Sequence, residues 1–322
     1  MTEFALPRVV ISRCFDFDSC RYNGQVVRAS LRDDLQHHVE FVPVCPELEI
    51  GLGVPRDPIR MVTRPDRIGL VQPATGRDLT DAMDRFASRF LAGLGEVDGF
   101  ILKSRSPSCG LRGVNIYDSS DQDAVVSSGA GRFAAPVLER FPHIAVEDEG
   151  RLRNLRLREH FLSRIFTSAS FRAVRAEGKL GALVRFHARN KLLLMAHSEM
   201  RLRRLGRIVA NAAREPLVAV LARYEVELAP ALAAPARAGA QINVIMHALG
   251  HVSDGLGSAE KGRFLDSLDS FRARRLPLSA ILELLRSWAA RFDDRYLAEQ
   301  TFLAPFPPEL IRIEPAGRKT RR

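Results

Sequence analysis

The sequence predicts two parts of different fold class, an α/β N-terminal domain with a mostly parallel sheet followed by an all-α C-terminal domain. Three observations carry this expectation. In the first half, short apolar runs of strand length alternate with stretches of helical periodicity. In the second half, apolar residues recur at three- and four-residue spacing over long segments. The charge changes at the same point: residues 1–165 hold 22 Lys and Arg against 23 Asp and Glu, whereas residues 166–322 hold 26 against 15, so the second half carries the whole formal charge of +10. The boundaries read as 1–166 for the α/β domain, 167–315 for the basic helical domain and 316–322 for a basic tail.

The runs RVVIS (8–12), FVPVC (41–45), IRMV (59–62) and GFILK (99–103) are short, apolar and bounded by polar or turn-forming residues, as buried strands are. Buried strands that alternate with helices imply a parallel sheet with helices on its faces. The segment DLTDAMDRFASRFLAGL (78–94) reads as a helix with an Asp start and a Gly stop. A connecting helix, RNLRLREHFLSRIF (153–166), lies between an acidic EDEG and the small-residue stretch TSAS, and the domain boundary falls in it or just after it.

The helical half begins with a long periodic segment over 183–212, read as one helix, and continues with helices over 218–232, 240–252, 259–275 and 278–303. Proline and glycine separate most of them. A basic domain beside a neutral one is the electrostatic footprint of a polyanion-binding module. Within it, Arg201, Arg203, Arg204 and Arg207 fall within two helical turns. No run of eighteen apolar residues is present, so a membrane span is not expected, and the N-terminus lacks the order of a secretory signal, which makes the cytoplasm the expected compartment. Four cysteines in a chain of 322 residues in that compartment argue against a disulfide framework.

Three of those cysteines carry the strongest chemical signal. Cys14, Cys45 and Cys109 each sit in a short segment punctuated by Gly or Pro, or just after a predicted strand. They are 31 and 64 residues apart, too far for a compact zinc module, so a shared metal or iron–sulfur site must be assembled by the fold. In open α/β sheets ligands collect outside the carboxyl ends of the strands, which is where the three thiols are expected to meet. Three thiolates on a [4Fe-4S] cluster leave one iron without a protein ligand, and an open metal position is what distinguishes a catalytic site from a sealed one.

The segments VCPELEIGLGVPRDPIR, DGFILKSRSPSCG and EDEGRLRN with LREHFLSRIF resemble the thiouracil-desulfidase family over residues 8 to about 166. In the second half FHARNKLLLMAHS, INVIMHALGH and YLAEQTFLAPFPPEL resemble the helical domain often fused to it, and the fused arrangement is similar to that of tRNA 4-thiouridine desulfidases. The resemblance implies a [4Fe-4S] cluster with three Cys ligands, Cys14, Cys45 and Cys109, and removal of sulfur from a thiolated uridine in tRNA to leave uridine. Replacing C=S by C=O at a pyrimidine carbon needs an acceptor for the sulfur and an activated water. An open iron is a thiophilic Lewis acid suited to accept the sulfur, with no net redox change.

Glu47, two residues after Cys45, matches a Glu of the family motif and is the candidate general acid/base; the competing reading is a helix cap or an ion pair with Arg56. Ser106 and Ser108 in SPSCG either hydrogen-bond substrate or form a turn that orients Cys109. Lys103 and Arg105 read as phosphate contacts or as solvated charges, and Glu49 as the partner of a basic neighbour. The stretch FDFDSC after Cys14 departs from the family pattern: Cys20 is either a fourth thiol near the cluster or a small buried residue, the latter favoured, and Arg13 puts a cation at the mouth of the site.

In the helical half, His187 and Lys191 are expected four apart on one helix with His197, and His247 and His251 form a second such pair. No acid or cysteine completes a zinc set there. Lys191, Arg201, Arg204 and Arg207 are the candidate tRNA contacts, of a kind that read backbone and shape. Two other classes of function stay open: desulfidation of free thiopyrimidines, and a non-catalytic metal or iron–sulfur protein that binds nucleic acid.

Overall fold

The computed structural model describes residues 4–25, 31–119, 124–211 and 213–312. The basic tail at 316–322 lies outside these. The chain divides into two compact units, Leu6–Phe161 and a second that starts at Leu162 and includes the stretch before Leu6.

The first unit contains two sheets. Strands β1 (Arg8–Ser12), β2 (Glu40–Val44), β6 (Gly99–Leu102) and β9 (Ala145–Asp148) form an all-parallel sheet in the order β2-β1-β6-β9. Its central strands β1 and β6 are almost wholly buried, which explains why they read as continuous apolar runs rather than alternating ones. Pro43 sits in β2 without breaking the ladder because β2 is an edge strand, where a missing N–H leaves no neighbour unpaired. In the register, Ser12 lies opposite Val44 and Val10 opposite Phe100, so the chain leaves β1, β2 and β6 side by side at one end.

The second sheet was not legible in the sequence. Strands β3 (Arg60–Thr63), β4 (Ile68–Gln72), β5 (Arg77–Asp78), β7 (Val114–Tyr117) and β8 (Val125–Gly129) form a mixed sheet in the order β5-β4-β3-β7-β8. The run IRMV, expected among the parallel strands, is β3 of this sheet and pairs antiparallel with β4. The short helices α1 (Leu31–Leu35), α2 (Pro46–Glu49) and α4 (Ala134–Arg140) and the longer α3 (Thr80–Gly93) complete the unit. Helix α3 starts where Asp78 accepts the Thr80 N–H at 2.9 Å and ends ahead of Gly95, whose φ of +68° suits glycine. Its inner face packs Met83, Phe86 and Leu91 into a core with Val10, Leu70, Phe100 and Phe133.

Helix α5 (Leu155–Glu177) is longer than predicted and runs through TSAS; the division between the units falls inside it. The second unit holds α6 (Leu180–Arg189), α7 (Lys191–Ala210), α8 (Leu217–Ala231), α9 (Ala238–Val252), α10 (Ser258–Arg272), α11 (Leu278–Arg291) and α12 (Arg295–Ala298). The single helix expected over 183–212 is corrected: the chain breaks at Asn190 and kinks again at Ser198, whose φ/ψ of −161°/97° is not helical. The segment 278–303 likewise divides into α11 and α12.

The break at Asn190 has a clear hydrogen-bond account. Buried Asn190 donates its side-chain N–H to the Phe186 carbonyl at 2.9 Å and accepts from the Thr301 hydroxyl at 2.9 Å. Gln300 donates to the Ala188 carbonyl at 3.0 Å and accepts the Leu192 N–H at 3.1 Å, and the Thr301 N–H caps the Arg189 carbonyl at 2.9 Å. Groups left open by the end of one helix and the start of the next are thus satisfied from a segment more than a hundred residues away.

A candidate active site at the carboxyl ends of the parallel strands

In the first unit, each parallel strand delivers one piece of a cavity of about 1000 Å³. Past β1 come Arg13 and Cys14, past β2 Cys45, past β6 the loop Lys103–Gly110, and past β9 Glu149. All four cysteines line this cavity as free thiols, and all are buried. Cys14, Cys45 and Cys109, expected near one another at the strand ends, all lie along this cavity, and so does Cys20.

Cys45 precedes α2, which opens on Pro46 and is closed by the Leu48 and Glu49 N–H groups on the Cys45 carbonyl, both at 3.1 Å. This turn places Glu47 over the cavity. One carboxylate oxygen of Glu47 accepts from Arg56 twice, Nε at 3.0 Å and Nη2 at 2.6 Å. The other accepts from the Ser108 hydroxyl at 2.6 Å and the Ser106 hydroxyl at 3.4 Å. Arg56 is 5% exposed and Glu47 15%, so this ion pair is largely withdrawn from water, where removing either partner is costly. The pairing with Arg56 and the contact with both serines therefore hold at once.

The SPSCG loop is shaped by its own hydroxyls and by α4. Ser106 Oγ accepts the Ser108 and Cys109 N–H groups at 3.2 and 3.1 Å and lies 2.9 Å from Ser108 Oγ, a turn that orients Cys109. The Arg132 N–H bonds the Pro107 carbonyl at 2.9 Å, and the Phe133 and Ala134 N–H groups both bond the Ser108 carbonyl at 3.0 Å. A Cβ at Gly131 would stand 2.5 Å from the Ser108 oxygen and one at Gly110 2.8 Å from the Ser106 oxygen. Both glycines are needed for close backbone approach.

Three of the thiols, Cys20, Cys45 and Cys109, are held towards the protonated form. A hydrogen bond with Cys14 is the main reason Cys20 is pushed up to about 11. Cys45 is raised by its hydrogen bond with Cys20 and by burial, and Cys109 is pushed up to about 12 by burial and then by the negative charge of Glu47. A thiophilic metal that binds here displaces those protons. Among the described residues no three His, Cys, Asp or Glu side chains close on a common point as ligands of a single ion do. Cluster ligands grip separate irons, so four soft thiols spread around one cavity suit a cluster better than a lone ion.

Lys103 is ion-paired with Glu149, whose second oxygen accepts the Ser104 N–H at 2.8 Å. Burial works against the Glu149 charge, but the bonds from Lys103 and Ser104 hold its carboxyl below the usual range. Arg105 is exposed, in the left-handed region at φ 57°. Glu49 pairs with Arg13 at 3.5 Å. The sequence reading undervalued Arg56 and missed Glu149 and Gly131; the only signal for Arg56 was its short separation from Glu47.

In the helical unit the expected positions separate. His187 is on α6 and Lys191 on α7, because the chain breaks between them, so they do not share one helix as expected. His187 Nδ1 lies 3.1 Å from the Tyr224 hydroxyl and His197 Nδ1 2.9 Å from the Ala234 carbonyl; burial lowers both pKa values. His251 stacks on Tyr296 and lies 3.6 Å from Asp294, while His247 is exposed. Arg201 and Arg204 both engage Glu227, at 2.8 and 3.6 Å, whereas Lys191 and Arg207 are exposed.

Thiols and a braced carboxylate gathered at the strand ends of a parallel sheet define an α/β enzyme that works on sulfur or metal chemistry. Residues 9–149 match the profile of the 2-thiouracil desulfurase family, and the chain belongs to that family. Residues 191–307 match a family described as a protein of unknown function, DUF1722. The chain is 29% identical to the uncharacterized protein YbgA of Escherichia coli K12 over 158 residues, 48% of this chain and 93% of that one. It is 32% identical to the uncharacterized protein YbbK of Bacillus subtilis 168 over 109 residues, 32% of this chain and 72% of that one. A solved structure, the [4Fe-4S]-dependent thiouracil desulfidase TudS, is similar at 26% identity and a TM-score of 0.34, covering 47% of this chain and 97% of that one. Among the described residues no helix is long and apolar enough to cross a membrane.

Proposed function

We propose that this desulfidase converts 4-thiouridine in tRNA to uridine without net redox change, using a [4Fe-4S] cluster held by Cys14, Cys45 and Cys109. The observation that carries the reading is the Glu47 carboxylate, braced by Arg56 and Ser108 in a cavity lined by free thiols. The donor set fits the group, because soft thiolates are the protein ligands of iron–sulfur clusters. When bound, the cluster supplies a thiophilic Lewis acid at the iron that these three cysteines leave unheld.

The chain's own groups handle the proton. The overall change is C=S plus water to C=O plus hydrogen sulfide, so a base must take a proton from water and return it to the departing side. Glu47 is the group for both tasks. Arg56 fixes one oxygen of its carboxylate, while Ser108 aims the other. Ser106 holds the loop that carries Ser108 and Cys109. The Lys103–Glu149 pair ties the ends of β6 and β9 together beside them.

The tRNA substrate is supported by the +11 balance of residues 166–322 and by exposed Lys191 and Arg207, with Arg201 and Arg204 as the further contacts. Turning a buried thiouridine out of its stack costs on the order of a few kcal/mol, which backbone contacts by a basic domain offset. The engagement of Arg201 and Arg204 with Glu227 favours a second reading, in which the substrate is a free thiopyrimidine.

Anaerobic reconstitution with iron and sulfide, incubation with bulk bacterial tRNA and nucleoside analysis test the proposal, with Cys45→Ala as control. Loss of 4-thiouridine with a matching gain of uridine, absent in the control, is the expected result. An unchanged profile with turnover of free 4-thiouracil transfers the assignment to the second reading.

A further inference from the structure

Cys20 is the departure from the family pattern in the sequence, and its surroundings do not resemble those of a residue that fills an apolar core. It is 1% exposed, yet it belongs to neither hydrophobic core of the described residues. It lines the same cavity as Cys14, Cys45 and Cys109. Its carbonyl accepts from Arg56 Nη2 at 3.0 Å, the nitrogen that also holds Glu47, and lies 3.9 Å from the Cys45 sulfur.

The loop that brings Cys20 there is firmly built. Phe15 is fully buried, Asp16 takes a left-handed φ of 56°, and Arg32 both bonds the Asp16 carbonyl at 2.6 Å and covers the Phe17 ring at 4.8 Å. The Arg56 N–H holds the Tyr22 carbonyl at 2.8 Å on the far side. A buried cysteine that only packs needs apolar neighbours. Cys20 is instead buried at the wall of the cavity that the three other thiols line, with its backbone fixed by Arg56.

We propose that Cys20 is a fourth thiolate ligand that closes the remaining cluster position in the resting protein and yields it to the substrate sulfur. The inference rests on the cluster reading above. On exchange Cys20 would give up its bond to iron as the incoming sulfur takes that position, and would leave as a thiol carrying the proton that Glu47 takes from water, while the hydroxide so formed adds to the thiocarbonyl carbon; no electron would be gained or lost. An open iron invites loss of that iron under oxidants, and a displaceable thiolate protects it between turnovers.

The test is iron loss from the reconstituted cluster, read by electron paramagnetic resonance during titration with ferricyanide, in wild type and Cys20→Ala. Wild type is expected to resist, and Cys20→Ala to lose one iron and develop the three-iron signal at least about tenfold faster. Equal rates in the two proteins overturn the role of Cys20 while leaving the cluster intact. A Cys20→Ala protein that keeps its circular dichroism but never takes up a cluster makes Cys20 a permanent ligand and overturns the exchange; Cys20→Ser, which keeps size and polarity, repeats that comparison. Failure of wild type itself to form a four-iron cluster removes the cluster reading, and the inference with it.

Discussion

The two units treat charge in opposite ways. In the first, the pairs Arg56–Glu47 and Lys103–Glu149 are largely drawn out of water around one cavity and bonded also to loop hydroxyls and a backbone N–H group. In the second, pairs such as Arg203 with Glu199 and Arg272 with Asp269 lie in solvent: each stands one helical turn apart, and all four side chains are more than half exposed. Exposed pairs of that kind contribute little to stability, whereas buried ones are sensitive to the loss of either partner. Net charge is what the proposed polyanion contact of the helical half rests on. The arrangement of charge marks the other half as the part that does chemistry.

Substitutions in the buried set are expected to break the first unit's function or fold. Glu47→Ala should lower desulfidation by about 10²–10⁴-fold while iron content and the visible spectrum of the cluster stay unchanged; retained turnover removes Glu47 from the proton-transfer role. Arg56→Ala leaves the Glu47 carboxylate without its cation and frees the Cys20 carbonyl. It should cost about 3 kcal/mol of stability in urea unfolding of the apoprotein, with turnover reduced as well. A loss near zero means that water replaces the guanidinium, and that the pair is not sealed.

The acid limb sharpens the comparison further. Glu149 has its pKa held below that of the unfolded chain, so its contribution is present above about pH 4.3 and is lost as pH falls through the folded value. Thermal melts of the apoprotein across that range should steepen in wild type and flatten in Glu149→Gln; identical profiles place the acid sensitivity elsewhere. The smallest effect belongs to the helical surface, where Arg203→Ala should change stability by less than about 0.5 kcal/mol. A much larger change there erases the contrast between the units.

What the sequence disclosed follows the same division. The central parallel strands were readable because burial on both faces makes them unbroken apolar runs, and the thiols because each follows such a strand. The mixed sheet was not, because β5 has two residues, both exposed, and β8 is exposed over four of its five, leaving no alternation to detect. The break at Asn190 was hidden because apolar periodicity continues through it, and what stops the helix is Gln300 and Thr301, remote in sequence. Glu47, Ser106 and Ser108 stood out as motif residues, but the bond from Arg56 to Cys20 is a product of folding that no spacing announces.

That remote closure has a meaning for synthesis. Residues 188–192 and 300–301 complete each other's hydrogen bonds, so the helical unit is stitched shut by a segment more than a hundred residues further along the chain. While the chain is still emerging from the ribosome, the joint between α6 and α7 has only water as a partner. Among the described residues the strands of the first unit are complete by Asp148, whereas the joint between α6 and α7 lacks its partners until Thr301 is made, so the helical unit is the later half to close.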